Sequence, residues 1–298
     1  MLSASPVKKT YLAHTLATEG RYEMKVVTDA LGVSRSNQYG QKKVRTRYRK
    51  TDDEKYLSLI KKLTDQRPTW GYRRITALLN RHLSNEGQSR VNHKRVYRLM
   101  KMDHLLLQKH TGRPIRLHEG TIITLCSNMR WCSDMFEVPC WNGQKVRVVF
   151  ALDCADREVL SYVATTAGIS GEMVRDLMAL AIENRFGSEK IPHVIQWLSD
   201  NGPAYTAYET QSFARLMGLE PRTTPYYSPE SNGMAESFIK TFKRDYVAMH
   251  DLPTAERVME QLPLWFEDYN EYHPHKGLKM KSPREYRRAL AKLEGYPV

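Results

Sequence analysis

The chain has 298 residues with 46 Lys and Arg against 33 Asp and Glu, a formal charge of +13 at neutral pH. Apolar residues at 41% and aromatics at 10% suffice for a sizeable core, which excludes wholesale disorder, and no apolar run nears the roughly eighteen residues that a membrane helix requires. The charge is one-sided: residues 1 to 118 hold 26 basic and 9 acidic side chains, residues 119 to 298 hold 20 and 24, so a polyanion-binding portion, nucleic acid being the leading polyanion, adjoins a mildly acidic one.

Lys8 and Lys9 are followed by no apolar h-region and no small-residue cleavage site, so secretion is not indicated. From Tyr22 to Tyr39 a short amphipathic helix (Met24, Val27, Ala30, Leu31) breaks at Gly32 and restarts at Val33, with Ser34 placed to cap the next turn. This is the outline of a helix-turn-helix, and equally of an ordinary helical hairpin. Residues 41 to 50, QKKVRTRYRK, place six cations in ten positions, a solvated linker or a track for a phosphate backbone.

Residues 53 to 107 predict three helices, with apolar faces at Tyr56, Leu59, Ile60 and Leu63, then Ile75, Leu78 and Leu79, then Val96, Leu99 and Met100. On the third, Lys94, Arg98 and Lys101 form a cationic stripe turned away from the apolar face, and Asn92 to Lys101 contains no acid. A charged stripe is the solvated side of any helix. Its single sign, after Arg73, Arg74, Arg81 and Arg90, points to contact with nucleic acid, mainly through phosphates.

After Pro114 the pattern turns to strands, predicted at Trp131 to Val138, Gln144 to Asp153 and Val159 to Thr165, with turn signals at Asn142-Gly143 and Asp156-Arg157. A helix from Gly171 to Phe186 and a strand from His193 to Leu198 follow, which describes an α/β layer of helices on a mixed sheet. The four cysteines, Cys126, Cys132, Cys140 and Cys154, contain no C-x-x-C pair and read as reduced core or strand residues.

Three carboxylates at element ends suggest the chemistry. Asp134 lies in the first strand, Asp200 follows a strand and precedes an Asn-Gly turn, and Glu236 opens a helix, with thirty-five residues between Asp200 and Glu236. Brought together, they would repel by a few kcal/mol per pair at an effective dielectric of about 20, so they need cations. Mg²⁺ or Mn²⁺ suits such oxygen ligands, and two ions would serve an in-line displacement at phosphorus. Singly each acid is weak evidence, since an Asp before Asn-Gly is often turn chemistry and a Glu in a first helical turn often complements the dipole. Asp153 competes for the first position, but the turn that follows at once favours a structural role. Glu236, Lys240 and Lys243 share one helical face, opposite Ala235, Phe238, Ile239 and Phe242; a surface Glu/Lys ladder would look the same.

Together W131-C-S-D134, S199-D200-N201-G202 and S228-P-E-S-N232-G-M-A-E236-S-F-I-K240-T-F-K243-R-D245 resemble the three blocks of the integrase-core DDE transposases. More narrowly, the chain is similar to the OrfB-type product of bacterial insertion sequences, a relative of retroviral integrases. W70-G-Y-R-R-I-T-A-L-L and V91-N-H-K-R-V-Y-R-L-M resemble the helical DNA-binding module that precedes this core, and Y269-N-E-Y-H-P-H275-K-G-L and S282-P-R-E-Y286 its C-terminal blocks.

The resemblance implies an α/β fold: a ribonuclease-H-like core of mixed sheet and helices, preceded by an all-α helix-turn-helix region. The expected boundaries are 1–50 for a partial helix-turn-helix and basic linker, 51–118 for the helical DNA-binding domain, 119–290 for the core with its C-terminal helical extension, and 291–298 for a tail. It implies Asp134, Asp200 and Glu236 as the catalytic, metal-binding triad with two Mg²⁺ ions, Mn²⁺ substituting, and Lys240 and Lys243 as DNA-contacting lysines beside Lys94, Arg98, Lys101, Arg73 and Arg74. The expected activity is strand cleavage at terminal-inverted-repeat DNA and transfer of the freed 3′ hydroxyl to target DNA, by a homo-oligomer, without membrane association, in the cytoplasm at the nucleoid. An upstream, OrfA-type product joined by frameshifting is an expected partner, and residues 1 to 20 are expected to be out-of-frame or readthrough residues with no fold of their own. His273 stands where relatives commonly have Arg, and Pro263 should kink or divide the helix of Thr254 to Tyr272. A DNA-binding repressor on the same scaffold, or a nuclease that cuts without joining, are the alternatives.

Overall fold

The computed structural model describes residues 6–20, 22–36, 51–108, 124–187, 191–224 and 232–294, in two units that span residues 1–54 and 55–298. The basic run at 41–50, the end of the expected helix-turn-helix at 37–39 and Ser228 to Ser231 lie outside the described residues.

In the first unit, helix α1 (Pro6–Thr18) packs on α2 (Met24–Leu31), burying Ala13, Val27 and Thr28. Residues 6 to 18 therefore do fold, contrary to the expectation for the N-terminal segment. Gly32 ends α2 in the left-handed conformation (φ 63°), its amide returning to Asp29 and Thr28, and helical backbone resumes at Arg35, directly after Ser34.

The three expected helices follow: α3 (Asp53–Gln66), whose first two residues close the first unit, α4 (Tyr72–Asn85) and α5 (His93–Met102). Ile60, Trp70, Ile75, Leu79, Leu83, Val96, Leu99 and Met100 close their core. Asn92 caps α5 through a bond from the Lys94 amide, and the Asn80 side chain fixes the connection by bonding both the amide and the carbonyl of Val91.

The sheet has the order β3-β2-β1-β4-β5, built from β1 (Arg130–Pro139), β2 (Lys145–Asp153), β3 (Val159–Thr165), β4 (Ile195–Ser199) and β5 (Leu219–Thr223). The first three are antiparallel neighbours, while β4 runs parallel to β1 and β5 parallel to β4. Gly143 at φ 85° turns β1 into β2, and Arg157 at φ 64° turns β2 into β3, where the sequence signals stand. One face packs on α6 (Gly171–Phe186), α7 (Pro203–Thr206) and α8 (Tyr208–Leu216) through Trp131, Val149, Ala151, Leu177, Met178, Trp197 and Tyr205. The other packs on α9 (Gly233–Asp245) and α10 (Ala255–Tyr272) through Cys132, Phe136, Phe150, Phe238, Phe242, Leu262 and Phe266. Cys132 and Cys140 are buried in that second core, and all four thiols are free.

Pro263 does not divide α10, which runs continuously. Proline removes the bond to the carbonyl four residues earlier, and Pro263 stands on the exposed side of the helix, where that loss costs least. The last helix, α11 (Pro283–Glu294), extends beyond the expected boundary at 290. Among the described residues no helix is long and apolar enough to cross a membrane.

Candidate active site

Alternation along β1 sends Cys132, Asp134 and Phe136 to the face covered by α9, so an aspartate lies within an otherwise apolar stripe. Asp134 pairs with Phe150 of β2, and its neighbour β4 runs parallel and ends at Ser199, carrying Asp200 beside β1. Glu236 occupies the first turn of α9 above the same face. Burial first, then the charges of Asp200 and Glu236, push the Asp134 carboxyl above its ordinary value, against the lowering effect of a bond from the Met135 amide (2.7 Å). The three acids thus share one electrostatic neighbourhood. Among the described residues no group of three His, Cys, Asp or Glu side chains stands close enough to hold a metal ion as the side chains lie.

Local bonds hold each acid. The Gly202 amide donates to Asp200 Oδ1 (3.0 Å), and a Cβ at Gly202 would meet that oxygen at 3.0 Å, which accounts for glycine in the turn. Asn201 Nδ2 donates to the Thr224 carbonyl (2.9 Å), tying this turn to the end of β5. Lys240 Nζ lies 3.5 Å from Glu236 Oε2, and Lys243 Nζ lies 5.9 Å from the Phe136 ring centre, so both lysines of α9 are exposed along the acid-bearing face. Sequence reading did not single out Ser133, Tyr205 or Asn232. All three are buried: Ser133 Oγ meets Tyr205 Oη at 2.7 Å, and Asn232 Nδ2 donates to the Ser133 carbonyl at 3.2 Å. Each lies in or beside a block that carries an acid, but nothing in the local pattern marks the bonds between them.

Asp153, the competing acid, is used up inside the protein. Its oxygens accept bonds from the amides of Asn128 (2.7 Å), Ala155 (2.8 Å) and Asp156 (3.1 Å) and from Trp131 Nε1 (3.2 Å), with Arg185 Nη2 at 3.3 Å. Arg185 also pairs with Asp156 and Glu158, and Glu158 is bound in turn by Arg284 and Arg287 of α11. Burial would lower the Arg185 guanidinium, but these acids outweigh it and raise it. Asn270 bonds both the amide and the carbonyl of Val159 at 2.9 Å. The two C-terminal blocks therefore clamp the β2–β3 end of the sheet.

The arginines of the helical module divide. Arg73 is exposed against the Tyr72 ring, and on α5 Lys94 and Lys101 are exposed, Arg98 is half-buried, and Val96, Leu99 and Met100 turn inward. Arg74 does not join them: its Nη1 lies 3.1 Å from the fully buried Asp245 carboxylate. That pairing corrects the expectation that Arg73 and Arg74 contact DNA together. Arg67 with Asp268 (2.5 Å) and Arg81 with Glu285 (2.5 Å) complete a charged seam between the helical module and α9 to α11. His273 sits at this seam, with the Trp70 ring 5.0 Å away, and burial, then the charges of His275 and Arg74, hold it well below its ordinary pKa. Burial thus favours the neutral imidazole at this seam.

Three family models match the chain, two described as integrase core domain, over residues 125–229 and 217–283, and one described as HTH-like domain, over residues 51–113. The transposase InsD for insertion element IS2A/D/F/H/I/K of Escherichia coli is 48% identical over 247 residues, covering 82% of each chain. InsD for insertion element IS2-9 of Escherichia coli K12 is 48% identical over 82% of this chain and 80% of its own. Among solved structures, a simian T-cell lymphotropic virus intasome in complex with PP2A regulatory subunit B56 gamma is similar at a TM-score of 0.47 and 18% identity, covering 76% of this chain and 73% of that one. The matched domains imply DNA binding and the divalent-metal dependence of the integrase-core family. At 48% identity over four fifths of the chain, with both portions of the architecture matched, the chain belongs to the integrase-core DDE transposases of bacterial insertion sequences.

Proposed function

We propose that Asp134, Asp200 and Glu236 together hold the divalent ions of a transposase that cleaves DNA at the ends of its element and joins those ends to target DNA. The observation that carries this reading is the convergence of the three acids at one place on the sheet: Asp134 on β1, Asp200 at the end of the parallel neighbour β4 and Glu236 in the first turn of α9, close enough that, after burial, the charges of Asp200 and Glu236 raise the Asp134 carboxyl, while the exposed Lys240 lies 3.5 Å from Glu236. The donor set fits the group: hard carboxylate oxygens from three residues suit Mg²⁺, which keeps water and takes further ligands from substrate phosphates. When bound, a pair of Mg²⁺ ions, with Mn²⁺ as substitute, supplies charge to the attacking and leaving oxygens of an in-line displacement at phosphorus. Lys240 and Lys243 neutralise and orient the phosphodiester along α9, and Arg73, Lys94, Arg98 and Lys101 hold duplex phosphates on the helical module without choosing a sequence. Terminal inverted repeats and target DNA are the substrates, the acting form is a homo-oligomer on DNA, and an upstream-frame product contributes recognition of the ends.

The test is an assay of labelled duplex carrying an element end, with Mg²⁺, with and without the upstream-frame product. Nicking followed by joined products is expected. Binding without nicking would establish the repressor reading in its place, and nicking without joined products the nuclease reading.

A further inference from the structure

We propose that Tyr205 and Asn232 are positioning residues that fasten the Asp200 and Glu236 segments to Ser133, the residue preceding Asp134, so that one buried serine sets the spacing of the three acids. The proposal rests on the assignment of those acids to metal. Ser133 is fully buried and offers two polar groups, its hydroxyl and its carbonyl. Its Oγ meets Tyr205 Oη at 2.7 Å on the α7 side of the sheet. Its carbonyl accepts from Asn232 Nδ2 at 3.2 Å.

Each bond reaches a segment that bears an acid. The Tyr205 amide donates to the Gly202 carbonyl (3.0 Å), and the Gly202 amide donates to Asp200 Oδ1 (3.0 Å), so Tyr205 is rigidly joined to the turn that presents Asp200. Asp134 and Asp200 both lie close enough for their charges to act on the Tyr205 hydroxyl. Asn232 precedes α9 directly and stands one helical turn before Glu236. Packing explains a Phe at 205 as well as a Tyr, because the ring sits in the core with Trp131 and Leu177; the hydroxyl is explained by Ser133. Three like charges drive their own segments apart, and neutral, water-excluded hydrogen bonds oppose this without adding charge. Outer partners that orient metal ligands are worth about 10- to 100-fold in metal affinity.

The experiment titrates the full chain with Mn²⁺, reading free ion by electron paramagnetic resonance, with melting temperature and DNA binding in chelator measured in parallel. Tyr205→Phe and Ser133→Ala should each weaken Mn²⁺ binding about 10-fold. The double variant should be no weaker than either alone, since both remove one bond. Asn232→Leu should weaken it comparably, Ser133→Thr should restore it toward the parent value, and DNA binding in chelator should be unchanged. Variants that melt earlier yet bind Mn²⁺ like the parent, while Asp134→Asn has lost it, would overturn the proposal and leave the acid assignment standing. Parent-like Mn²⁺ binding by Asp134→Asn would overturn the acid assignment and the proposal with it.

Discussion

At the β2–β3 turn, Asp153, Asp156 and Glu158 are buried, and Arg185, Arg284 and Arg287 reach them from α6 and α11. Beside the centre of the same sheet, the charges of Asp200 and Glu236 act on Asp134, and among the described residues the exposed Lys240 is the cation paired with them, through Glu236. Burying a carboxylate is costly unless a cation and hydrogen bonds accompany it, so the first cluster is a structural knot whose every charge is answered internally. The second is left to be answered from outside. The arginines of the helical module divide in the same way: Arg74 is spent on Asp245, whereas Arg73, Lys94 and Lys101 face solvent.

The comparison breaks first if the outward acids prove dispensable. Asp134→Asn, Asp200→Asn and Glu236→Gln should each abolish Mg²⁺-dependent nicking, a loss of about 10³-fold or more, because several kcal/mol of charge stabilisation disappear at phosphorus. DNA binding in gel shifts should survive. The inward cluster should respond through folding instead. Arg185→Met strands the buried Asp153 and Asp156, Glu158 keeping Arg284 and Arg287, and should cost about 3–5 kcal/mol in urea unfolding.

A smaller effect concerns pH. Burial, then the charge of Asp156, raises the Asp153 carboxyl to about 6, against the lowering effect of Arg185. The folded state therefore binds this proton where the unfolded chain, near the ordinary value of 3.8, has released it. Stability from this group is present below about pH 4 and is lost as pH rises through about 6. Asp153→Asn should accordingly fall behind the parent, in unfolding free energy, by up to about 3 kcal/mol more at pH 4 than at pH 7. An equal deficit at both pH values would show that the carboxyl titrates normally. The smallest effect should come from the outward cations. Replacing Lys94, Arg98 and Lys101 by Ala should weaken binding equally on all DNA sequences and reduce the salt-dependence slope by about 0.9 for each phosphate that is no longer neutralised. Arg74→Ala should leave that slope alone and lower the melting temperature.

The strands β1 to β4 and the helices of the module were legible because alternation and a 3.6-residue period report which face is buried, and the turn signals mark the ends. β5 was not, since Leu219-Glu-Pro-Arg-Thr is polar and contains Pro221; as an edge strand it tolerates a residue that cannot donate. The three acids were visible as blocks, yet their common neighbourhood depends on β4 lying parallel to β1, a pairing that local pattern does not encode. Arg73 and Arg74 look alike in sequence because partnership is decided by Asp245, 171 positions away. Ser133, Tyr205 and Asn232 passed unnoticed for the same reason: a hydrogen bond between distant segments leaves no periodic trace.

The most direct test is anomalous scattering from crystals soaked in Mn²⁺, which locates the ion against both acid clusters at once. Anomalous density between Asp134, Asp200 and Glu236, and none at Asp153, Asp156 and Glu158, is the predicted result. Density at the arginine-bound cluster, or an empty triad at saturating Mn²⁺, would contradict it.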